Sequence, residues 1–265
     1  MCDDRTVRLV GWLADRNARR RVRALDETIA TAPLGADVLV ATSLVDKSQS
    51  LYQLGRLREV AAVCDEVVER YDHHDDPALQ AAVAEALYNK AVAIGDSGDF
   101  WTSISVYRDL RTRFTHIRDI DVRVHVARAF FNEADSLAEL GRISDAIDAF
   151  HGVLDEFSDD AEPAVVEQLA MALVNLGGQY ANTGRRDDEL VTYAKVVELF
   201  GDNEAPFARK QVAIAFHNRL HVLRVTGQTQ EWESANAEFL RRFAKDREPA
   251  VRAIVASARK DASLN

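Results

Sequence analysis

Five glycines recur at a fixed interval, and this interval constrains the fold more than any other feature of the sequence. Each follows an alanine-rich run and lies 43 residues after the one before it, with no insertion or deletion: Gly55, Gly98, Gly141, Gly184 and Gly227. Equal spacing of this length is typical of a repeat array, in which every block forms the same unit of structure. The sequence therefore predicts five blocks, at 33–75, 76–118, 119–161, 162–204 and 205–247.

Other columns of the repeat share the same register. One column holds a small residue in every block, namely Ala41, Ala84, Ala127, Ala170 and Ala213. Three positions later stands a large apolar residue, namely Leu44, Leu87, Phe130, Leu173 and Phe216. Sixteen positions after each glycine stands an aromatic residue, namely Tyr71, Phe114, Phe157, Phe200 and Phe243. Such columns indicate that each block meets the same packing surface in its neighbours.

Each block is predicted to form two helices. The chain has only 12 glycines and 5 prolines, and its apolar residues follow helical rather than strand spacing. The first helix, of about 19 residues, ends at the glycine, which can adopt the left-handed conformation that closes a helix. The second, of about 15 residues, carries an apolar stripe such as Ile143, Ile147, Phe150, Leu154 and Phe157. One helix pair cannot bury its apolar face alone, so the pairs are expected to stack.

The segments "ALYNKAVAIGDSGDF" and "AFFNEADSLAELGRISDAIDAF" resemble the tetratricopeptide repeat (TPR), in an extended form with a period of 43 residues. The resemblance covers about 33–247. It implies an all-α fold, a right-handed superhelical TPR-like solenoid of antiparallel helix pairs. Residues 1–32 are then expected to form a divergent N-terminal cap around Trp12 and Val22, and residues 248–265 a C-terminal capping helix.

A polar column runs through the first helices, although asparagine is a poor residue for a helix interior. Its members are Asp46, Asn89, Asn132, Asn175 and Asn218. The resemblance implies that this column lines a concave groove, where side-chain amides offer a donor and an acceptor to the backbone of a bound peptide. The alternative is structural, since a repeated asparagine can also form hydrogen bonds between neighbouring helices. The two roles can coexist.

Residues beside this column on the same helix face are mixed in character, namely Tyr88, Arg128, Phe131, Val174, His217 and His221. The aromatic and aliphatic ones could form pockets for anchor side chains of a ligand, and the arginine could receive an acid. The same variation is also expected of an unconstrained surface, and the aromatic residues could instead pack against the next repeat.

Composition disfavours several other functions. With 33 basic and 43 acidic residues the chain has a net charge of −10, which disfavours nucleic-acid binding.

His217 and His221 have a spacing that can bind a metal, but no third ligand accompanies them, so we expect no metal and no cofactor. The sequence lacks a membrane-spanning apolar run and a phosphate-binding loop. The chain has only two cysteines, which favours the cytoplasm as its compartment. Its excess of arginine over lysine, 27 residues against 6, weakly indicates a bacterial genome.

These features predict a non-catalytic protein–protein interaction module that binds a peptide or a partner helix in its concave groove, as a scaffold, adaptor or sensor. No nucleophile, base and orienting group converge, so we do not expect an enzyme. The alternative is a structural, self-assembling repeat protein that acts through homo-oligomerisation. Exposed tryptophans would favour the alternative, and the candidates are Trp12, Trp101 and Trp232.

Overall fold

The computed structural model describes the backbone of residues 4–263 and the side chains of residues 14–260. This part of the chain consists of helices joined by short turns and contains no strand. The helices are α1 (Asp4–Thr31), α2 (Asp37–Gln53), α3 (Leu57–Tyr71), α4 (Pro77–Asp96), α5 (Phe100–Phe114), α6 (Ile120–Glu139), α7 (Ile143–Phe157), α8 (Pro163–Asn182), α9 (Arg186–Phe200), α10 (Pro206–Val225), α11 (Thr229–Phe243) and α12 (Pro249–Ser263).

The expected alternation of long and short helices is present. The first helices α4, α6, α8 and α10 each have 20 residues, and the second helices that follow them each have 15. The five recurrent glycines all have a positive φ, between 68° and 93°, so each closes its helix in the left-handed region. At the N-terminal ends of α4 and α6, the carboxylates of Asp76 and Asp119 accept hydrogen bonds from backbone N–H groups of the first turn. Acids in the inter-repeat links thus serve as helix caps.

The chain divides into two compact units, residues 1–140 and 141–265. In unit 1, the first helices α2, α4 and α6 lie side by side, with α3 and α5 packed between them and α1 packed on α2. In unit 2, α10 lies between α8 and α12, with α9 and α11 packed against it and α7 packed on α8. Within each unit, the short turns are those expected between antiparallel neighbouring helices.

The core follows the repeat columns. The alanines of the small column are 0% exposed in both units, which lets neighbouring first helices approach closely. The aromatic column of the second helices is also buried, with Phe157 1% and Phe200 5% exposed. In the predicted N-terminal cap, Ala18 and Val22 of α1 are buried. The side chain of Trp12 lies outside the described residues, and the predicted domain boundaries stay predictions.

A buried carboxylate is held between α5 and α6 in unit 1. Glu133 is 3% exposed, and its Oε1 accepts a hydrogen bond from Arg108 Nε at 2.7 Å. Its other oxygen accepts from Arg111, whose guanidinium carbon lies 3.4 Å from the centroid of the Phe130 ring. Removing one partner of such a pair leaves a buried charge uncompensated, so the three charges must be kept together.

Two adjacent glycines of α8 provide a matched test of packing in unit 2. A Cβ atom on Gly177 would overlap the ring of Tyr193, whereas one on Gly178 would meet nothing within 4 Å. Tyr193 is 2% exposed and cannot easily move aside. We expect Gly177→Ala to lower the free energy of unfolding by about 1–3 kcal/mol. Gly178→Ala should leave it unchanged or raise it by up to about 1 kcal/mol. Urea unfolding distinguishes the two, and equal losses would contradict the packing described.

The aromatic column gives a second prediction. Phe157→Ala removes a ring that is 1% exposed and leaves a cavity, so the free energy of unfolding should fall by about 3–5 kcal/mol. Leu199→Ala is the control, because that side chain is 51% exposed, and its effect should stay within about 0.5 kcal/mol. A Phe157→Ala variant as stable as the control would mean that the ring does not support the helix pair.

Candidate functional site

The polar column of unit 1 lies on the surface formed by α2, α4 and α6, which we call the unit 1 face. Asp46, Asn89 and Asn132, which define this face, are all half-buried. Asp46 Oδ2 is 3.2 Å from Nη2 of Arg21, which belongs to α1. The face therefore carries polar groups that are partly shielded from water and partly available to a ligand.

The asparagine amides of unit 1 donate hydrogen bonds within the fold. Asn89 Nδ2 donates to Ser48 Oγ at 3.2 Å and so links α4 to α2. Asn132 Nδ2 lies 3.2 Å from the hydroxyl oxygens of both Tyr88 and Tyr107, and so links α6 to α4 and α5. Each amide nitrogen therefore has a structural partner.

A similar bond occurs in unit 2. Asn218 Nδ2 donates to the hydroxyl of Tyr193 at 3.2 Å, and this tyrosine precedes it by 25 residues, as Tyr107 precedes Asn132. Phe150 holds the corresponding position before Asn175, which is half-buried. The structural alternative thus accounts for the amide nitrogens of Asn89, Asn132 and Asn218, while a ligand-binding role for the column stays a prediction.

The other predicted residues differ in how much surface they offer. Phe131 and Val174 are 6% and 9% exposed, so they add little to the surface of their helices. The guanidinium carbon of Arg128 lies 5.9 Å from the centroid of the Tyr88 ring. His217 and His221 of α10 line, with Trp232, a cavity of about 20 Å³, which holds roughly one water molecule.

A larger pocket opens on the unit 1 face between α2 and α4, with a volume of about 330 Å³. We call it the tyrosine pocket, and its lining consists of Ser48, Gln49, Tyr52, Gln53, Val60, Tyr88, Asn89 and Val92. The hydroxyl of Tyr52 donates to Asp96, and this bond, followed by burial, raises the pKa of Tyr52 to about 12. Apolar walls with a few fixed polar groups are typical of ligand pockets.

A second opening on the same face contains three carboxylates. We call it the acidic cleft; it has a volume of about 440 Å³ and is lined by Thr42, Val45, Asp46, Ala78, Ala81, Ala82, Glu85, Asp121 and His125. Glu85 is one of its lining residues, and its Oε1 accepts a hydrogen bond from Gln49 Nε2 at 2.6 Å. Its Oε2 lies 3.8 Å from Nε2 of His125. Glu85 therefore connects side chains of all three first helices.

Burial sets the protonation of this group of side chains. It raises the pKa of Glu85, an effect that the charges of Asp46 and Asp121 reinforce and that the hydrogen bond from Gln49 and the charge of Arg128 oppose. Burial, with a smaller effect of the Arg128 charge, lowers the pKa of His125 to about 4. His125 is therefore neutral at pH 7 and does not neutralise Glu85.

Several of these residues were not found by sequence reasoning. His125 and Asp121 precede Asn132 by 7 and 11 residues, so helical periodicity puts all three on the same face of α6. Following this face further towards the N-terminus of the helix would have identified both residues from the sequence. Tyr107 and Tyr193 belong to second helices, and the spacing within one helix gives no signal for their bonds to the asparagines.

Metal binding and membrane insertion have no structural signature in the described residues. Among them, no three His, Cys, Asp or Glu side chains are grouped so as to hold a metal ion. No helix in the described part of the chain is both long and apolar enough to cross a lipid bilayer.

Solved structures with the same arrangement of helices settle the fold. The structure of BtubC (BKLC) from P. vanneervenii matches with a TM-score of 0.66 at 15% identity, over 93% of this chain and 92% of that one. A second match is the structure of a putative kinesin light chain with nearly identical TPR-like repeats, from Podosopora anserina. Its TM-score is 0.53 at 13% identity, over 82% of this chain and 95% of that one. The fold is TPR-like. The predicted all-α repeat solenoid is confirmed, and at these identities the likeness concerns the fold alone. No protein-family model matches the sequence, and no curated protein matches it.

The bond between Asn132 and Tyr107 can be measured by a double-mutant cycle. Asn132→Ala should lower the free energy of unfolding by about 0.5–1.5 kcal/mol for each hydrogen bond lost. Tyr107→Phe keeps the buried ring and should cost less once Asn132 is already alanine, because the two changes remove the same bond. Purely additive effects in urea unfolding would contradict the bond. Asn89→Ala with Tyr107→Phe is the control pair, and it should be additive.

The lowered pKa of His125 predicts a pH dependence of stability. Because the folded chain binds this proton less readily than the unfolded chain, stability is lost as the pH falls from the usual pKa of 6.5 to about 4. The loss reaches at most about 3 kcal/mol. The raised pKa of Glu85 acts in the opposite direction. Melting temperatures at pH 7 and pH 5 should therefore differ more for the wild type than for His125→Gln.

The exposed His116 supplies the control, since His116→Gln should keep the pH dependence of the wild type. A His125→Gln variant with an unchanged pH dependence would mean that this imidazole is not held in its neutral form by the fold.

Proposed function

We propose that this chain is a non-catalytic protein–protein interaction module that binds a peptide or a partner helix on the faces formed by its first helices. The TPR-like fold supports this proposal, because stacked helix pairs create extended surfaces suited to binding other proteins. Scaffolding, adaptor work and sensing are functions of this kind. We place this activity in the cytoplasm, because the chain has only two cysteines and Cys64, the one that the structure describes, is buried and forms no disulfide.

The observation that carries the proposal is the tyrosine pocket of the unit 1 face. Its volume of about 330 Å³ is large enough for a leucine or aromatic side chain, and Tyr88 and Val92 offer it an apolar wall. Asn89 and the exposed Gln49 at its rim carry amide oxygens and nitrogens that match the polar groups of a peptide backbone. Anchor side chains in such pockets usually supply most of the binding free energy.

A selection from a random dodecapeptide display library tests the proposal. We expect the immobilised wild-type chain to enrich peptides whose binding is lost, by tenfold or more in affinity, in the variant Gln49→Ala/Tyr88→Ala. The control variant Arg58→Ala/Glu69→Ala changes exposed residues of α3 and should retain binding. Circular dichroism checks that both variants stay folded. Peptides that bind all three proteins equally, or no enrichment at all, would count against a binding face in unit 1.

Self-association is the second candidate, and exposed apolar residues favour it. Leu34 and Leu39, near the start of α2, are 106% and 46% exposed, and Trp101 of α5 is 54% exposed. Trp232 is half-buried, so it offers less surface. A homo-oligomer formed through such residues would explain why they face water.

Light scattering after size exclusion distinguishes the two candidates. If the chain self-associates through the start of α2, Leu34→Ser/Leu39→Ser should convert the oligomer to a monomer. Val191→Ser changes an apolar residue of α9 that is 68% exposed, and it should not. A monomeric wild type at about 100 µM would remove this candidate.

A further inference from the structure

Two openings follow one another along the groove between α2 and α4 in unit 1. The acidic cleft takes Asp46 from α2 and Glu85 from α4, and the tyrosine pocket takes Tyr52 and Val92 from the same two helices. Glu85 and Val92 are seven residues apart, which corresponds to about 10 Å along a helix. Gln49 lines the tyrosine pocket and Glu85 lines the acidic cleft, so the hydrogen bond between them connects the linings of the two openings. The groove thus presents two different chemical environments at a fixed distance.

The acidic cleft is lined by three carboxylates, and two arginines act on them, Arg21 on Asp46 and Arg128 on Glu85, so acidic groups outnumber basic ones. Arg21 lies beside Asp46, but the side chains of that pair are 53% and 46% exposed, so water screens it strongly. Glu85 has an amide and a neutral imidazole as its closest partners. Burial raises the pKa of Glu85, and repulsion from Asp46 and Asp121 adds to it, whereas the hydrogen bond from Gln49 and the charge of Arg128 oppose it. A further cation in the cleft would favour the charged carboxylate.

A second observation in the cleft also indicates a missing partner. His125 lines it, is only 9% exposed, and has a ring nitrogen, Nδ1, for which the described residues supply no hydrogen-bond partner. Buried polar groups in folded proteins nearly always have a partner. This nitrogen is itself buried, while the other ring nitrogen, Nε2, lies 3.8 Å from Glu85, so the polar groups on this side of the cleft are incompletely paired.

Size and wall chemistry decide which cation fits. A volume of about 440 Å³ is far larger than a metal ion needs. Ala78, Ala81 and Val45 form an apolar wall beside the carboxylates, and such a wall suits the alkyl stem of an arginine or lysine side chain. Carboxylates bind the guanidinium group of arginine through two parallel hydrogen bonds, which gives both strength and orientation.

We infer that the α2–α4 groove binds a protein segment that places an arginine or lysine side chain in the acidic cleft and a large apolar side chain in the tyrosine pocket. This inference rests on the proposed function and specifies its partner. The separation of about 10 Å corresponds to residues three apart in an extended segment or seven apart in a helix. The partner surface is basic and apolar, which also complements the net charge of −10 of this chain.

The peptides enriched from the dodecapeptide library test the inference. We expect most of them to carry an arginine or lysine either three or seven positions from a leucine or aromatic residue. One enriched peptide is then synthesised with a fluorescent label, and its affinity is measured by fluorescence polarisation. Replacing its basic residue by glutamate should weaken binding by about a hundredfold, and replacing its apolar residue by serine by about tenfold.

Variants of the chain assign each contact. Glu85→Gln and Asp46→Asn should each weaken binding of the labelled peptide by about tenfold, and 0.5 M salt should weaken it further. The matched control is Asp155→Asn, an exposed carboxylate on α7, which should leave the affinity unchanged. Tyr88→Ala should reduce the preference for the apolar residue of the peptide without changing the preference for the basic one.

The outcomes separate the inference from the proposed function. Enriched peptides that depend on Tyr88 and Gln49 but lack a basic residue, or that bind Glu85→Gln and Asp46→Asn as tightly as the wild type, would overturn the inference and leave the interaction module standing. A library that yields no peptide dependent on the unit 1 face would count against both.

Discussion

The close approach of neighbouring first helices through alanine is the contact on which the rest of this structure depends. Ala41, Ala84 and Ala127 are fully buried in unit 1, where α2, α4 and α6 pack side by side. A larger residue at any of these positions would push the helices apart, because the interior is packed as densely as an organic crystal. The same spacing brings the polar side chains of α2, α4 and α6 within bonding distance of one another. The short distance between neighbouring first helices therefore determines both the core and the candidate binding face of unit 1.

The polar column shows how a repeat protein can use one residue type for two purposes. Asn132 and Asn218 bond to the hydroxyls of Tyr107 and Tyr193, which are buried and need a partner. Asn89 bonds to Ser48 instead and stands at the rim of a pocket. An asparagine held by one hydrogen bond is oriented before any ligand arrives, and this lowers the entropic cost of binding through its remaining polar groups. A structural bond and a binding role are thus compatible at the same position.

Half-buried charge distinguishes the unit 1 face from an ordinary solvated surface. Burying polar groups without partners opposes folding, so an acidic cleft with an unsatisfied imidazole is a local loss of stability. The buried alanines and other apolar side chains of unit 1 are the kind of contacts that offset such a loss. Sites of this kind are common where a protein binds a partner, because the ligand supplies the missing interactions.

The sequence by itself determined the helix pairs, their glycine ends and their buried columns. A 43-residue period has this effect because every block packs against its neighbours through the same positions. Periodicity also put Asn132 and Arg128 on one helix face. Only the tertiary structure decided what each face meets. It buried Phe131, paired Asn132 with Tyr107 and brought Asp46, Glu85 and His125 of three helices to one cleft. The physical reason is that helical spacing fixes directions around a single axis, whereas hydrogen bonds, burial and pKa shifts depend on the side chains that a neighbouring helix supplies across the gap.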